Sequence, residues 1–236
     1  MFLLIVNSGW NLSRYWLTLS FGIALWLGFL NTAGPAAAPQ TILVLGDSIS
    51  AGNGIDPAQA FPALLQDKID RAGLPYKIVN AGVSGDTSAG GLRRINWLLR
   101  QPVSVLLLEL GGNDGLRGLP LESTRTNLQK IIDRTREKYP TVKIIIAGMQ
   151  MPPNLGADYV GEFRQLFPDL AKANHATLIP FLLEGVGGRR ELNQADMIHP
   201  TVEGHVAVAE TVWKILEPIL KQSAAVPQKD SSEKTG

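Results

Sequence analysis

The stretch TILVLGDSIS, residues 41–50, is an apolar run that ends abruptly in Gly46, Asp47 and Ser48. A serine at the end of a strand either caps the next helix with its hydroxyl or acts as a nucleophile. A nucleophilic serine needs a base within hydrogen-bonding reach, a group that orients the base, and donors where negative charge develops. These requirements determine which other residues are candidates for a catalytic site.

The chain contains three histidines, so the candidate base can be chosen by elimination. His175 stands just before an apolar run and His205 lies inside a helical pattern, where packing against neighbours is the simpler interpretation. His199 lies in the segment ADMIHPTVEG, where Pro200 restricts the chain beside it. Asp196, three residues earlier, can reach the imidazole within one turn and hold its tautomer. We therefore identify Asp196 and His199 as the candidate pair.

A metal site formed by Asp196, His199 and His205 is the alternative interpretation of the same segment. Their spacing differs from the helical i, i+4 pair of the H-E-x-x-H motif, which argues against metal binding. The absence of cysteine also removes thiolate catalysis, disulfide scaffolds and zinc–thiolate sites. The sequence therefore predicts neither a metal nor a cofactor.

Apolar runs of strand length alternate with helical patterns between residues 40 and 221. Five runs are predicted to be strands: TILVLG, YKIVNAG, VSVLLLELGG, VKIIIAG and ATLIPFL. A helical pattern follows each of them: PALLQDKIDRAG, SAGGLRRINWLLRQ, TRTNLQKIIDRTREKYP, DYVGEFRQLFPDLAKAN and TVEGHVAVAETVWKILEPILK. The last pattern predicts one apolar face, formed by Val202, Val206, Ala209, Trp213, Leu216 and Leu220. This alternation predicts one α/β domain with a five-stranded parallel sheet between helices.

The residues that could take part in a reaction stand at the ends of the predicted strands. In open α/β sheets, ligands bind outside the carboxyl ends of the strands, which meet at one edge. Glycine lets the backbone approach a substrate closely, and an asparagine amide is a donor whose charge does not change with pH. Taken singly, each residue also has a structural explanation, since glycines form tight turns and asparagine caps them. The four strand ends read Gly46-Asp47-Ser48, Ala81-Gly82-Val83, Gly111-Gly112-Asn113-Asp114 and Gly148-Met149-Gln150.

Four ordered blocks, GDSIS, NAGVSGDT, GGND and DMIHP, resemble those of the SGNH/GDSL hydrolase superfamily. The resemblance extends over residues 41–220 and is greatest to bacterial exported esterases that act as acyl-CoA thioesterases, lysophospholipases and arylesterases. Ile49 replaces the leucine of the GDSL motif, which is a nearly isosteric exchange. Because Ser48 is not in a G-x-S-x-G elbow, the sequence argues against an ordinary α/β-hydrolase. The resemblance implies a three-layer, flavodoxin-like fold.

The resemblance also implies a role for each matched residue. Ser48 is expected to be the nucleophile, His199 the base, and Asp196 the group that orients the imidazole. The backbone N–H groups of Ser48 and Gly82 and the side-chain amide of Asn113 are expected to form the oxyanion hole. The implied reaction is hydrolysis of an acyl ester or thioester through an acyl-enzyme. A carbohydrate O-deacetylase or an acyltransferase would keep these residues and change only the pocket.

Two further expectations concern the surroundings of Ser48. Asp47 is expected to bond loop amides and so position the turn. Apolar residues near the site favour an acyl chain over a sugar as the group that is bound. Plain core packing explains the same residues equally well. The candidate substrate-binding residues are Leu110, Met149, Met151, Pro152 and Ile198.

The first 39 residues predict a signal peptide or an N-terminal membrane anchor. Their apolar segment LTLSFGIALWLGFL is shorter than the roughly 20 residues of a membrane span and is followed by the small-residue segment NTAGPAAAPQ. Residues 1–6 are apolar rather than basic, and Pro39 follows the candidate cleavage site Ala36-x-Ala38, so an uncleaved anchor stays open. Either alternative predicts export to the periplasm or beyond, with membrane association if the segment is retained.

The remaining composition is that of an ordinary globular protein. The 236 residues are 45% hydrophobic and 18% charged, which is enough chain for one domain with a sizeable core. A formal net charge of +1 without a dense Lys/Arg cluster argues against nucleic acid as a partner. We expect a small acyl ester or thioester as the substrate. Residues 222–236 are polar and predict a disordered tail.

Overall fold

The computed structural model describes residues 39–224. The segment predicted to be a signal peptide or anchor lies, up to residue 38, outside the described residues, and so do residues 225–236 of the predicted tail. The last helix continues to Ala224, beyond the predicted domain end at residue 221. Among the helices of residues 39–224, none combines the length and the apolar character needed to cross a membrane.

Five parallel strands form one sheet in the order β2-β1-β3-β4-β5, which confirms the predicted α/β architecture. The residues of β3 are all buried, because helices cover both faces of the sheet. The fifth strand ends at Ile179, earlier than the predicted run of residues 176–182. The strands are β1 (Gln40–Gly46), β2 (Tyr76–Asn80), β3 (Val105–Glu109), β4 (Lys143–Ala147) and β5 (Thr177–Ile179).

The described residues contain five long helices and two short ones. The two short helices are not predicted from the sequence, because a single turn is too short to show a hydrophobic period. Short 3₁₀ turns occupy Pro57–Gln59, Pro153–Leu155 and Arg190–Leu192. The helices are α1 (Ser48–Ala51), α2 (Phe61–Arg71), α3 (Ser88–Leu98), α4 (Gly112–Leu116), α5 (Leu121–Lys138), α6 (Ala157–Ala173) and α7 (Val202–Ala224).

The two faces of the sheet bury separate hydrophobic cores. Successive residues of β1 point to opposite faces, so Ile42 and Val44 pack with α2 and α7. Leu43 and Leu45 lie in the other core, with apolar residues of α3, α5 and α6. Helices on both faces of a sheet with this strand order are the predicted three-layer, flavodoxin-like arrangement.

The buried face of α7 differs from the predicted one. Val206 is 47% exposed, whereas Trp213 is half-buried and packs against the core at its edge. His205, in the first turn of α7, points inward and contacts Phe61 at the start of α2, whereas the adjacent Val206 lies towards solvent. The buried face consists of His205, Val208, Ala209, Val212, Leu216 and Leu220.

The strand order reverses at β1, which has β2 on one side and β3 on the other. In doubly wound sheets, ligands bind in the crevice at such a reversal. Gly46 at the end of β1 pairs with Glu109 at the end of β3, so the segments that follow them start side by side. The fold therefore brings the GDSIS and GGND blocks to one edge of the sheet.

His205 joins α7 to α2 through a buried hydrogen bond. The Phe61 N–H donates to Nδ1 of His205 at 3.2 Å, and the Phe61 ring stacks on the imidazole with 6.5 Å between centroids. The bond requires Nδ1 without a proton. Burial, with a smaller contribution from His199, lowers the pKa of His205 to about 4.

We expect this bond to make the free energy of unfolding decrease as the pH falls from about 6.5 to about 4. The unfolded chain protonates His205 near pH 6.5 but the folded protein only near pH 4, so protons favour the unfolded state in this window. His205→Gln keeps an acceptor that does not titrate, and urea unfolding should show a smaller loss of stability over the same window. The exposed His175→Gln is the control and should keep the wild-type slope. Equal slopes in wild type and His205→Gln would contradict the prediction.

Candidate active site

Ser48 is the first residue of α1 and follows β1 after a single residue. The helix is capped by Asp47, whose Oδ1 accepts the Ile49 N–H at 3.0 Å. This is the loop-positioning role expected of Asp47, and it excludes the alternative in which the serine hydroxyl is the cap. The Ser48 hydroxyl instead lies 2.9 Å from Nε2 of His199.

The turn that carries Ser48 is anchored on β3 by Glu109. Oε2 of Glu109 accepts hydrogen bonds from the Ser50 hydroxyl at 2.6 Å and from the Asp47 N–H at 3.0 Å. Gly46 is required there, because a Cβ would overlap both the Ser50 hydroxyl and the Glu109 carboxyl. Gly52, at φ +74°, ends α1 after one turn in the left-handed conformation that glycine adopts readily.

The loop before α7 uses both oxygens of Asp196. Oδ1 accepts the backbone N–H groups of Ile198 at 2.9 Å and His199 at 3.0 Å. Oδ2 accepts the Nδ1–H of His199 at 2.6 Å. These three bonds explain why the aspartate must stand three residues before the histidine. Met197, between them, has φ +59°, a left-handed conformation that costs a side-chain-bearing residue about 1–2 kcal/mol.

Gln194 connects this loop to the segment after α1. Its Nε2 donates to the carbonyl of Asn53 at 2.7 Å and to that of Pro200 at 3.0 Å. Because Asn53 follows Ser48 closely and Pro200 follows His199, the amide holds the two loops together. This role is not predicted from the sequence, because the Asn53 carbonyl is 141 positions away from Gln194 in the chain.

Ser48, His199 and Asp196 form a continuous chain of two hydrogen bonds. Removal from water raises the pKa of Asp196, but the hydrogen bonds from His199 and two backbone amides outweigh this and lower it to about 2. The carboxyl group is therefore ionised at neutral pH and accepts a hydrogen bond from the Nδ1–H of His199. This leaves Nε2 as an acceptor for the Ser48 hydroxyl, an arrangement that can move the serine proton to the imidazole.

Gly82 and Asn113, the other two candidate oxyanion donors, follow β2 and β3, the strands on either side of β1. Both donors are hydrogen-bonded within the protein. The Gly82 N–H donates to Oδ1 of Asn80 at 2.9 Å. Nδ2 of Asn113 donates to Oδ2 of Asp47 at 3.1 Å and to the Asp86 carbonyl at 2.9 Å. The Ser48 N–H, by contrast, pairs with no acceptor in the described part of the chain.

The glycines of these strand ends serve different purposes. Gly82 is not in a left-handed conformation, but a Cβ there would overlap the Ala51 backbone nitrogen, so close approach to α1 requires it. Gly111 has φ +118° and is the N-cap of α4, which agrees with the turn interpretation. Packing against α1 therefore explains Gly82, and a left-handed turn explains Gly111.

Two buried carboxyl groups, Asp47 and Glu109, lie beside Ser48. Burial raises the pKa of Asp47 to about 6. Burial and the neighbouring charge of Asp47 raise the pKa of Glu109 well above its ordinary value. Glu109 is fully buried and its Oε1 has no partner among the described residues, so it is the group that keeps its proton. Asp47 is then the carboxylate that holds the Asn113 amide.

A cavity of about 620 Å³ opens over Ser48 and His199. Four of the five candidate substrate-binding residues line it: Met149, Met151, Pro152 and Ile198. Leu110 does not; it is 1% exposed and lies in the core beside Gly91. The prediction is wrong for Leu110, because its side chain packs in the core formed with α3, α5 and α6 and does not reach the cavity wall.

The loop after β5 supplies lining residues that the sequence analysis missed. These residues follow the carboxyl end of β5, which lies at the same edge of the sheet as the other four strand ends. The rule that ligands bind outside the carboxyl ends of the strands therefore also predicts this loop. With Leu116 of α4, they make the cavity wall largely apolar. The lining residues of this loop are Phe181, Leu182, Leu183, Gly187 and Gly188.

The residues of the alternative metal site are not arranged as ligands. Within residues 39–224, no group of three or more His, Asp or Glu side chains is placed to hold a metal ion. Nδ1 of His205 is occupied by the Phe61 N–H.

Comparison with known proteins places this geometry in a family. The model of the GDSL-like lipase/acylhydrolase family matches residues 44–207. The chain is 43% identical over 185 residues to esterase TesA of Pseudomonas aeruginosa, covering 78% of this chain and 91% of that protein. It is 37% identical over 190 residues to thioesterase 1/protease 1/lysophospholipase L1 of Escherichia coli K12, covering 80% and 89%.

A solved structure supports the same assignment. The psychrotrophic esterase EstA from Pseudoalteromonas sp., in a form inhibited by monoethylphosphonate, matches with a TM-score of 0.72 and 32% identity. The match covers 77% of this chain and 99% of that chain. The sequence blocks, the strand order and these relatives agree, and the chain therefore belongs to the GDSL-like lipase/acylhydrolase family of SGNH hydrolases, as a carboxylic ester hydrolase.

Proposed function

We propose that this protein is an exported serine hydrolase that cleaves acyl esters or thioesters with Ser48, His199 and Asp196 as its catalytic residues. The observation that carries the proposal is the unbroken hydrogen-bond chain among these three side chains, at 2.9 and 2.6 Å, facing an apolar cavity. The export part rests on the sequence of the first 39 residues alone.

In the first step, Oγ of Ser48 attacks the acyl carbon while Nε2 of His199 takes the hydroxyl proton. The ionised Asp196 stabilises the resulting imidazolium and holds the ring in place. The carbon–oxygen or carbon–sulfur bond to the leaving group then breaks, and His199 returns its proton to that group. The product of this half-reaction is an acyl ester of Ser48.

In the second step, water replaces the leaving group in the same geometry. Nε2 of His199 takes a proton from the water as its oxygen attacks the acyl carbon. Collapse of this tetrahedral intermediate breaks the bond to Oγ, and the proton returns to Ser48. The fatty acid leaves, and the enzyme is restored.

The oxyanion of each tetrahedral intermediate accepts hydrogen bonds from the Ser48 N–H, the Gly82 N–H and the Asn113 amide. The Ser48 N–H is free for this in the described residues, whereas the other two donors must exchange an internal acceptor for the oxyanion. A full negative charge is a stronger acceptor than the Asn80 amide oxygen or the Asp86 carbonyl, which favours the exchange in the transition state.

The substrate class is supported by the cavity and by the relatives. Methionine, proline, leucine and phenylalanine side chains line the wall beside Ser48, and such a wall binds an acyl chain better than a sugar. The relatives include an esterase, a thioesterase/lysophospholipase and an arylesterase. Hydrolysis of acetylated sugars in preference to longer acyl esters would support the deacetylase alternative instead.

Ser48→Ala tests the nucleophile. We expect kcat for a p-nitrophenyl ester to fall by about 10⁶-fold, because loss of the attacking oxygen removes the acyl-enzyme route. The variant should also fail to react with a fluorophosphonate probe that labels the wild type. Ser123→Ala, at an exposed serine of α5, is the control and should keep both properties. Retained hydrolysis by Ser48→Ala would disprove the assignment.

Asn113→Ala tests the side-chain donor of the oxyanion hole. We expect kcat to fall by about 10²–10³-fold with little change in KM, because the lost hydrogen bond strengthens only as charge develops. Steady-state kinetics of the variant should be compared with those of Asn96→Ala, at an exposed position of α3. An unchanged kcat would remove Asn113 from the oxyanion hole.

Met151→Ala tests the apolar wall. We expect kcat/KM for p-nitrophenyl octanoate to fall about tenfold and that for the acetate to change less than about threefold, because only the longer chain loses buried contact. The control is Trp97→Ala, which truncates a side chain that is 68% exposed and outside the cavity. Equal losses for both esters would place the acyl chain elsewhere.

A further inference from the structure

We infer that Gln194 is a positioning residue for proton transfer at the active site, because its side-chain amide fixes the distance between the loops that carry Ser48 and His199. These are the nucleophile loop, residues 47–55, and the histidine loop, residues 192–201. The inference rests on the proposed function and extends it to a residue that neither lines the cavity nor belongs to the hydrogen-bond chain of the three catalytic side chains.

Within the described residues, only two hydrogen bonds join the nucleophile loop to the histidine loop. One is the bond between the Ser48 hydroxyl and Nε2 of His199 at 2.9 Å, in which the proton moves. The other is donated by Nε2 of Gln194 to the carbonyl of Asn53 at 2.7 Å. Apart from the reacting groups themselves, the amide of Gln194 is therefore the hydrogen-bonding group that connects the two loops.

On the nucleophile loop, Asn53 is tied to Ser48 by the end of α1. The Asn53 N–H donates to the Ser48 carbonyl at 3.0 Å, and the Gly52 N–H donates to the Ile49 carbonyl at 3.4 Å. With Gly52 at φ +74°, this pair of bonds is the Schellman motif that ends a helix. Ser48 and Asn53 therefore move together, and a bond to the Asn53 carbonyl acts on the position of the nucleophile.

On the histidine loop, the backbone of Gln194 is paired with that of His199. The Gln194 N–H donates to the His199 carbonyl at 2.7 Å, and Asn193 forms an antiparallel bridge with Pro200. The side chain adds a further bond, from Nε2 to the Pro200 carbonyl at 3.0 Å. Gln194 and the candidate base therefore belong to one small hairpin, and the amide carries the position of this hairpin to Asn53.

The amide of Gln194 is held in the orientation that this task requires. Both of its acceptors are carbonyl oxygens, so the atom that faces them is Nε2, whose two protons serve one acceptor each. Oε1 lies against Gly54, which has φ +82° and where a Cβ would overlap this oxygen. A glutamate carboxylate or a methionine thioether at this position has no proton to donate to the two carbonyls.

The bond from Gln194 matters most once the acyl-enzyme has formed. Oγ of Ser48 is then an ester oxygen and has no proton to donate to His199. Of the two hydrogen bonds between the loops, only that from Gln194 to Asn53 is left. Nε2 of His199 must now take a proton from a water that attacks the acyl carbon on Ser48, so the distance between the loops decides the rate of this step.

Gln194→Met tests the inference, with Gln59→Met as the matched control. Methionine keeps the length of the side chain and removes the donor, and Gln59 is exposed in the 3₁₀ turn that follows the nucleophile loop. Active sites are titrated with a fluorophosphonate. The burst and the steady release of p-nitrophenol from an ester then give the rate constants of acylation and deacylation.

We expect deacylation to slow by about 10- to 100-fold in Gln194→Met and acylation by a smaller factor, because the bond between Ser48 and His199 still joins the loops before acylation. The dissociation constant of the ester should stay within about threefold, since Gln194 does not line the cavity. The control should behave as wild type. If Gln194→Met does not fold, Gln194→Glu takes its place; it keeps the shape of the side chain, and the same changes are expected.

Nitrogen-15 chemical shifts of the His199 ring supply a readout that does not depend on hydrolysis. The bonds from Asp196 that hold the Nδ1–H tautomer lie within one turn and do not involve Gln194. We expect this tautomer in both wild type and Gln194→Met, although deacylation slows in the variant. Loss of the tautomer would assign the slower reaction to collapse of the Asp196 turn and would overturn the inference.

The remaining outcomes separate the inference from the proposed function. A wild-type protein that neither releases p-nitrophenol nor reacts with the fluorophosphonate would refute the proposed function and the inference with it. An active wild type with unchanged deacylation in Gln194→Met would overturn the inference and leave the proposed function intact. A lower melting temperature with unchanged rate constants is the signature of a purely structural role and would also overturn it.

Discussion

The hydrogen bond between Ser48 and His199 joins two residues that are 151 positions apart in the chain. Neither side chain can hold that distance by itself, so the bond depends on the correct position of two loops. One loop is anchored through the end of β1 on Glu109 of β3, and the other is built on the carboxylate of Asp196. Gln194 bonds both loops directly. The sheet, with its strand reversal at β1, provides the rigid edge on which these contacts form.

Buried polar groups then determine the electrostatics of the site. Glu109 and Asp47 lie close together away from water, and only one of them can carry a charge at low cost. With the proton on Glu109, Asp47 serves both as the cap of α1 and as an acceptor for Asn113. The nucleophile and a candidate oxyanion donor are therefore held by the same carboxylate. Arg94 donates to the carbonyls of Gly46, at the end of β1, and Ala81, directly after β2, at the same edge of the sheet.

Much of this could be predicted from sequence because the signals are local. Each strand appears as a short apolar run, and the long helices appear as periodic patterns of ordinary length. Asp196 and His199 were paired from their spacing, which the structure explains by three hydrogen bonds within one turn. Leu110 as a substrate-binding residue and Val206 as part of the buried face of α7 were predicted wrongly. In both cases an apolar residue can lie in either of two environments, and contacts with remote segments, such as that of His205 with Phe61, decide between them.

The sequence by itself determined the alternation of strands and helices, the gathering of the strand ends at one edge and the residues available there for chemistry. Period, composition and short spacing encode these properties within a few residues of each other. Only the tertiary structure decided which acceptor each donor meets: Asp47 rather than Ser48 as the cap of α1, Asn80 as the partner of Gly82, and Gly46, Ala81 and Asp86 as the acceptors of Arg94. Such pairings depend on distances and directions between remote segments, which are fixed only when both cores pack against the sheet.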